Sequence, residues 1–207
     1  MFEPGALWYG STILSSWQSE AFWYFGRSSG FVAYGLLVGS MALGLGISSR
    51  ILDGFVQRGW FYEMHKFSSV VVVIATLLHV LSFIPDGHLG LSAADLFIPF
   101  HAQVNPGPKV VAITTFYVMT ALTGSFYVTR WIGQKTWRNV HYASFVVMVG
   151  ATVHALWAGS DAQAVAVRLS YFSVGVALVF LVFYRMLAMR SSPPPRAPKP
   201  AQRESAT

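Results

Sequence analysis

The sequence predicts an all-α integral membrane protein, a bundle of about five transmembrane helices. Of its 207 residues, 54% are hydrophobic and only 11% are charged, whereas a soluble domain carries about 25% charged residues. A helix needs about 20 apolar residues to cross the bilayer core, and five stretches of about that length occur along the chain. So little charge cannot cover a water-facing surface, and we therefore expect lipid to surround the protein.

The five predicted spans are separated by basic residues and prolines, which end apolar helices. The first span ends before Arg50 and the second before Pro85, and the third lies between Pro108 and Arg130. Together the spans define a membrane domain over residues 29–189. They are predicted at about 29–48, 61–84, 109–129, 139–158 and 166–189.

The segments outside this domain have a different composition. Residues 1–28 are aromatic but interrupted by polar side chains, which predicts an interfacial or extracytoplasmic segment. They begin without the basic and apolar regions of a signal peptide, so we expect no cleavage. Residues 190–207 are rich in Pro, which predicts a disordered cytoplasmic tail. Within the first span, Gly35 and Gly39 have a spacing that is common at helix–helix contacts.

The loop charges predict the orientation of the chain. Lys and Arg outnumber Asp and Glu by 14 to 8, and the excess lies after the first and third spans and in the tail. The segments 85–108 and 159–165 contain Asp but no Lys or Arg. Cytoplasmic loops carry the excess of Lys and Arg. We therefore expect an outside N-terminus and a cytoplasmic C-terminus in the cell (inner or plasma) membrane, and no nucleic-acid partner.

Several kinds of site are excluded by residue types that are missing. The chain has no Cys, which excludes disulfides, Cys-ligated zinc and iron–sulfur clusters. It also has no dinucleotide-binding, phosphate-binding or zinc-protease motif.

Four histidines lie within the predicted spans. His65 and His79 are in the second span, and His141 and His154 are in the fourth. Each pair extends over about 20 Å of helix, so the four imidazoles form two cross-helix pairs, one near each membrane face. Two neutral imidazoles can bind one haem iron from opposite sides. The pattern predicts a bundle that encloses two haems, which would provide stepping stones across an insulating core about 30 Å thick.

The predicted angles leave one question open. On an ideal helix the histidines of the second span lie within about 40° of one face, but those of the fourth are about 140° apart. Either the fourth span is distorted, for example near Gly150, or its histidines reach their haems from different sides. Ordinary interior histidines bonded to Ser, Thr or carbonyl groups are an alternative, as is a proton relay. A relay would usually include carboxylates, and Glu63 is the only one predicted within a span.

These histidines lie in segments that resemble a known family. HKFSSVVVVIATLLH in the second span and TWRNVHYASFVVMVGATVH in the fourth resemble the ferric reductase-like transmembrane domain. Its superfamily includes NADPH oxidases, ferric reductases and the haem-binding subunit of the bacterial methionine-sulfoxide reductase system. DLFIPF (95–100) and KTWRNVHY (135–142) add to the resemblance, which covers about residues 30–185.

The resemblance implies two bis-His b-type haems. His65 and His141 would bind the inner haem iron, and His79 and His154 the outer haem iron. Electrons would move outward from the cytoplasmic side. Oxidases and ferric reductases of this superfamily also carry flavin and nicotinamide modules, which this chain lacks, so we expect a cytoplasmic flavoprotein or a quinol as the donor.

The function expected from these features is that of an oxidoreductase subunit that transfers electrons across the membrane to an extracytoplasmic acceptor. One alternative is a haem-binding anchor for a specific periplasmic reductase, such as the methionine-sulfoxide type. A second is a direct ferric or oxygen reductase, and a third is a haem-free transporter or assembly factor.

Three further residues are candidates for contacts near the haems. Arg138 lies three residues before His141, where it either pairs with a haem propionate or anchors the helix at the cytoplasmic interface. His88 and His101 lie in the predicted outer loop, where they either contact an acceptor or a metal or are solvated.

Overall fold

In a computed structural model, the chain is described at residues 5–49, 57–85 and 90–190. These ranges contain α-helices and two short 3-10 turns but no β-strands. The 3-10 turns are Phe126–Val128 and Ser160–Gln163. The α-helices are α1 (Gly5–Ser49), α2 (Arg58–Leu81), α3 (Ala93–Phe97), α4 (Pro106–Ser125), α5 (Thr129–Ile132), α6 (Gln134–His141), α7 (Ser144–Ala158) and α8 (Val165–Arg190).

The five spans predicted from the sequence are confirmed as helices that are long and apolar enough to cross a membrane. None of the most apolar part of α8 is buried within the chain; Val179 is 66% exposed and Phe183 is 62% exposed. Such surfaces suit lipid and not water. The spans cover Glu20–Ser49, Arg58–Leu81, Pro106–Ile132, Gln134–Ala158 and Val165–Leu187.

Helix α1 is longer than the first predicted span. Its 45 residues extend over about 67 Å at 1.5 Å per residue, more than twice the thickness of the bilayer core. The helix continues without a break through the predicted boundary at residue 28. The interfacial position of residues 1–28 stays a prediction. The predicted disordered tail lies outside the described residues from residue 191 onward.

Two local signals set the ends of the shorter helices. A capping box starts α3, because the Ser92 side chain accepts from the Asp95 N–H while the Asp95 carboxylate accepts from the Ser92 N–H. Gly133 separates α5 from α6 with a φ of 80°, a conformation that favours glycine.

The fourth span is not one continuous helix. It is interrupted at Tyr142 and Ala143, where three backbone bonds join residues i and i+3 instead of i+4. Bonds of this kind wind the chain more tightly than α-helical bonds, so the interruption changes the angle between His141 and His154 from that of an ideal helix. The distortion lies before α7. Gly150 is inside regular helix, where a Cβ would collide with Thr115 of α4.

The helices pack as an antiparallel bundle around a small apolar core. Helix α1 packs mainly against α2 and also against α8, and α4 packs mainly against α7. Val72, Met119, Leu122 and Val147 form the buried centre of the bundle. This core lies at the middle depth of the spans and leaves space towards each end.

Candidate functional site

Each predicted histidine pair lines one of two cavities. His65 and His141 line a cavity of about 350 Å³, here called the His65 cavity. His79 and His154 line a cavity of about 420 Å³, here called the His79 cavity. Both volumes are within the range of about 300–1,000 Å³ typical of cofactor and ligand sites. The structure thus brings together the residues that the sequence analysis paired.

An apolar wall separates the two cavities. Leu37, Val72 and Met119 line both of them, and Val72 and Met119 belong to the buried centre of the bundle. His65 and His79 are fourteen residues apart on α2, which corresponds to about 21 Å along the helix. The cavities therefore lie one above the other along the bundle.

A glycine and a carbonyl group of α1 hold the ring of His79. The Nδ1 atom lies 2.6 Å from the carbonyl oxygen of Gly26. Four residues further along α1, a Cβ on Gly30 would lie only 2.9 Å from His79 Cε1. The ring therefore packs directly on the backbone of α1, where any side chain would displace it.

The same contact recurs at His65. Its Nδ1 atom lies 2.9 Å from the carbonyl oxygen of Ser40, and a Cβ on Gly44 would lie 3.2 Å from His65 Cε1. Gly30 and Gly44 are fourteen residues apart, as are His65 and His79. Helices α1 and α2 thus repeat one histidine cradle at two depths.

Helix α4 holds one of the two histidines of the fourth span. His154 Nδ1 lies 3.1 Å from the carbonyl oxygen of Pro108. His141 instead stacks on Trp137, with ring centroids 5.0 Å apart, and its Nδ1 atom is buried with no hydrogen-bond partner.

The carbonyl contacts determine which ring nitrogen carries the proton. A carbonyl oxygen can only accept, so His65, His79 and His154 must each donate from a protonated Nδ1. In a neutral ring this leaves the Nε2 lone pair available. Metal-binding histidines are commonly held in this way, because the bond at Nδ1 fixes the ring and raises its basicity.

The spacing of His65 and His141 suits a shared metal ion. Their ring centroids are 6.0 Å apart and the rings are almost perpendicular, at 85°. Two metal–nitrogen bonds of about 2 Å, with about 1 Å from each nitrogen to its ring centre, also give about 6 Å. The two residues fit a haem iron held between two imidazoles. Among the described residues, no group of three or more His, Asp or Glu could hold a metal ion.

The two cavities differ in charge. Lys66, Arg138 and Arg185 line the His65 cavity, and no Asp or Glu of the described residues does. Arg138, the predicted propionate partner, has an exposed side chain. Arg185 and Trp137 were not predicted as site residues. The position of Arg185 inside the last apolar stretch could have indicated a functional role, because charged residues are rare within membrane spans.

At the His79 cavity the cationic side chains already have hydrogen-bond partners. Arg27 of α1 forms a bidentate ion pair with Asp161 in the turn before α8, and the two side chains are 29% and 30% exposed. Lys109 also lines this cavity and donates to the carbonyl oxygen of Val104 over 2.8 Å.

His101, one of the two loop histidines, does not line either cavity. His101 is exposed, and its Nδ1 atom lies 2.9 Å from the Asp95 carboxylate. Hydrogen bonds from Ser92 and then from His101 lower the pKa of Asp95 to about 2. His88 lies outside the described residues.

The glycines that approach another helix are not the predicted pair. A Cβ on Gly35 or Gly39 would meet no atom within 4 Å, so these residues face open space. The contacts are made by Gly26, Gly30 and Gly44 of α1, by Gly107 of α4 and by Gly150 of α7. The fourteen-residue spacing that Gly30 and Gly44 share with the histidines could have identified two of them.

Comparison of the chain with protein-family models, with curated proteins and with solved structures finds no match. The two cavities and their histidines are therefore the basis on which a function can be inferred.

Proposed function

We propose that this chain is a di-haem b-type membrane cytochrome that transfers electrons across the bilayer. The donor is a cytoplasmic flavoprotein or a quinol, and the acceptor is extracytoplasmic. Support comes chiefly from one observation: His65 and His141 line the same cavity with ring centroids 6.0 Å apart, close to the separation of about 6 Å expected for two imidazoles on one metal ion. A haem bound in each cavity would supply a one-electron carrier.

The repeated cradle supports two sites rather than one. His65 and His79 have the same surroundings, a carbonyl at Nδ1 and a glycine under the ring. Because each ring is held at Nδ1 and by packing, its Nε2 orientation is set before any ligand binds. The four histidines would hold the iron, and the apolar wall would keep water out of the space between the sites.

Ordinary interior histidines explain less of the geometry. They account for the bonds at Nδ1, since buried polar atoms are normally paired. They do not account for two histidines from different spans lining one ligand-sized cavity, at each of two depths. A proton relay finds less support at the His65 cavity, because no carboxylate in the described part of the chain lines it.

The charge distribution supports the proposed orientation. Arg58, Arg130, Lys135 and Arg138 lie towards the end of the bundle that holds the His65 cavity. Asp95 and Asp161 lie towards the other end. By the positive-inside rule the His65 cavity is cytoplasmic, and electrons would enter there.

We place the chain in the ferric reductase-like transmembrane domain family as part of this proposal. The electron donor would dock at the basic end of the bundle, next to the His65 cavity. A dedicated periplasmic reductase and direct reduction of ferric chelates or oxygen are alternatives that use the same two sites and differ only in the acceptor.

Haem content tests the ligand assignment. Full-length protein purified in detergent should show b-type bands at about two haems per chain. His65→Ala and His141→Ala should each lose the same haem, and His79→Ala and His154→Ala the other. The matched control is His101→Ala, an exposed histidine outside both cavities, which should keep both haems. Full haem content in any of the four cavity variants would refute the pairing.

Transfer across the bilayer needs its own assay. Proteoliposomes that contain ferricyanide, with dithionite added outside, report electron flux through the protein. Wild type should reduce the trapped ferricyanide, and loss of either haem should abolish the flux. Flux that persists in His65→Ala and His154→Ala would show that the two sites do not act in series.

A further inference from the structure

Three buried nitrogen atoms without a hydrogen-bond partner meet at the His65 cavity. Within the described part of the chain, Trp137 Nε1, Arg185 Nε and His141 Nδ1 are the buried side-chain atoms that have none. All three residues line this cavity. Buried polar groups are normally paired, and the Trp and Arg atoms can only donate. Trp137 Nε1 and Arg185 Nε therefore both need a hydrogen-bond acceptor.

The charge around these atoms indicates what kind of acceptor is needed. Arg185 forms no ion pair with any described residue. Its nearest polar contact is a marginal 3.4 Å from Nη2 to the Tyr142 hydroxyl, and its guanidinium lies 5.7 Å from the centre of that ring. Lys66 also lines the cavity, but its Nζ atom forms an ion pair with the Glu63 carboxylate over 3.0 Å. An unneutralised Arg within a span is costly, so the missing partner is an anion.

We propose that Trp137 and Arg185 form a carboxylate-binding subsite in the His65 cavity, which holds the propionates of the haem bound there. The assignment rests on the proposed function. Arg matches a carboxylate with two parallel donors, and the indole N–H adds a third. In the His79 cavity Arg27 is neutralised by Asp161 and Lys109 donates to the Val104 carbonyl oxygen. Among the described residues, the buried donors without a partner lie on the His65 cavity, so the subsite distinguishes one cavity from the other.

The subsite also affects electron affinity at the His65 cavity. A cation near the iron favours the reduced form, because reduction removes one positive charge from the haem. Arg185 should therefore raise the reduction potential at this cavity. Removing the guanidinium should lower that potential and leave the potential at the His79 cavity unchanged.

Porphyrin discrimination provides the test. Full-length apo-protein carrying His79→Ala and His154→Ala, which removes the ligands of the other cavity, is titrated with haem b or with its dimethyl ester, which lacks both carboxylates. The background should prefer haem b by about tenfold or more, since a hydrogen bond to a charged group is worth roughly that factor. Adding Arg185→Gln or Trp137→Phe should reduce the preference, and Arg185→Lys should retain part of it. Arg130→Gln is the matched control, since it removes an exposed cation from the same end of the bundle.

The outcomes separate the subsite from the proposed function. If the background protein takes up neither porphyrin and wild type takes up none, the proposed function fails and the subsite with it. If the background binds both porphyrins equally while adding His65→Ala abolishes binding, the proposed function stands and the subsite is wrong. An unchanged preference and potential in both Arg185→Gln and Trp137→Phe would also overturn the subsite. If the double-histidine background does not fold, the same comparison is made in wild type, on the fraction of haem that His65→Ala loses.

Discussion

Replacing Gly30 with Ala perturbs the His79 cradle with a single methyl group. The new Cβ would lie 2.9 Å from His79 Cε1 and 3.0 Å from Nδ1. Ordinary carbon contacts begin at about 3.5 Å, so the ring has to move by roughly 0.5 Å. It has little freedom to do so, because Nδ1 is bonded to the Gly26 carbonyl over 2.6 Å and Phe83 packs on the ring with centroids 5.1 Å apart.

Three terms set the size of the effect. Overpacking a well-filled site costs about 1–3 kcal/mol, and weakening one hydrogen bond costs about 1 kcal/mol more. Ala in place of Gly within a helix returns about 0.5–1 kcal/mol. We therefore expect Gly30→Ala to lower the free energy of unfolding by roughly 1–3 kcal/mol and to displace the Nε2 atom of His79.

The assay combines thermal unfolding in detergent with the visible spectrum of the purified protein. Gly44→Ala should have a smaller effect, because its Cβ would lie 3.2 Å from His65 Cε1. Gly35→Ala is the control, since a Cβ there meets no atom within 4 Å, and it should be neutral or slightly stabilising. The expected order of damage is Gly30, then Gly44, then Gly35. Equal stability and equal haem content in all three variants would refute the cradle.

Two further predictions concern the loops at the His79 end. Hydrogen bonds hold the pKa of Asp95 at about 2 instead of its usual 3.8, so the ionised carboxylate stabilises the α3 loop above the usual pKa, and this contribution is lost as the pH falls towards 2. A carboxyl carbon resonance that titrates with a midpoint near 3.8 would contradict this. Arg27→Gln and Asp161→Asn should each destabilise the protein, and a double-mutant cycle should give a coupling of about 1 kcal/mol. A coupling near zero would mean that the pair does not fasten α1 to the turn before α8.

The spans and the histidine pairs could be predicted because each depends on a simple periodic signal. Apolar length identifies a membrane helix without knowledge of its neighbours. The depth of His65 and His141 follows from their distance to the ends of their helices, so their meeting in one cavity could be expected. Their haem ligation stays a prediction.

Other features depend on contacts that no local pattern encodes. The break at Tyr142 and Ala143 lies in a sequence without Pro or Gly, and its effect on the His154 direction appears only when the helix is built. Gly35 and Gly39 have a familiar packing motif but face open space. Arg185 lies near the end of the last span, and no local pattern indicates that it lines the His65 cavity.

The two histidine cradles hold α1 and α2 together at two points. A single ring resting on one glycine would let the two helices pivot about that point or slide past each other. Two such contacts, fourteen residues apart on both helices, oppose both pivoting and sliding. A shift by one helical turn would break the contact of each histidine ring with its glycine at the same time. The hairpin of α1 and α2 therefore works as a ruler. It sets the separation of the two cavities, and one residue inserted between Gly30 and Gly44 would turn one of these glycines about 100° away from its histidine.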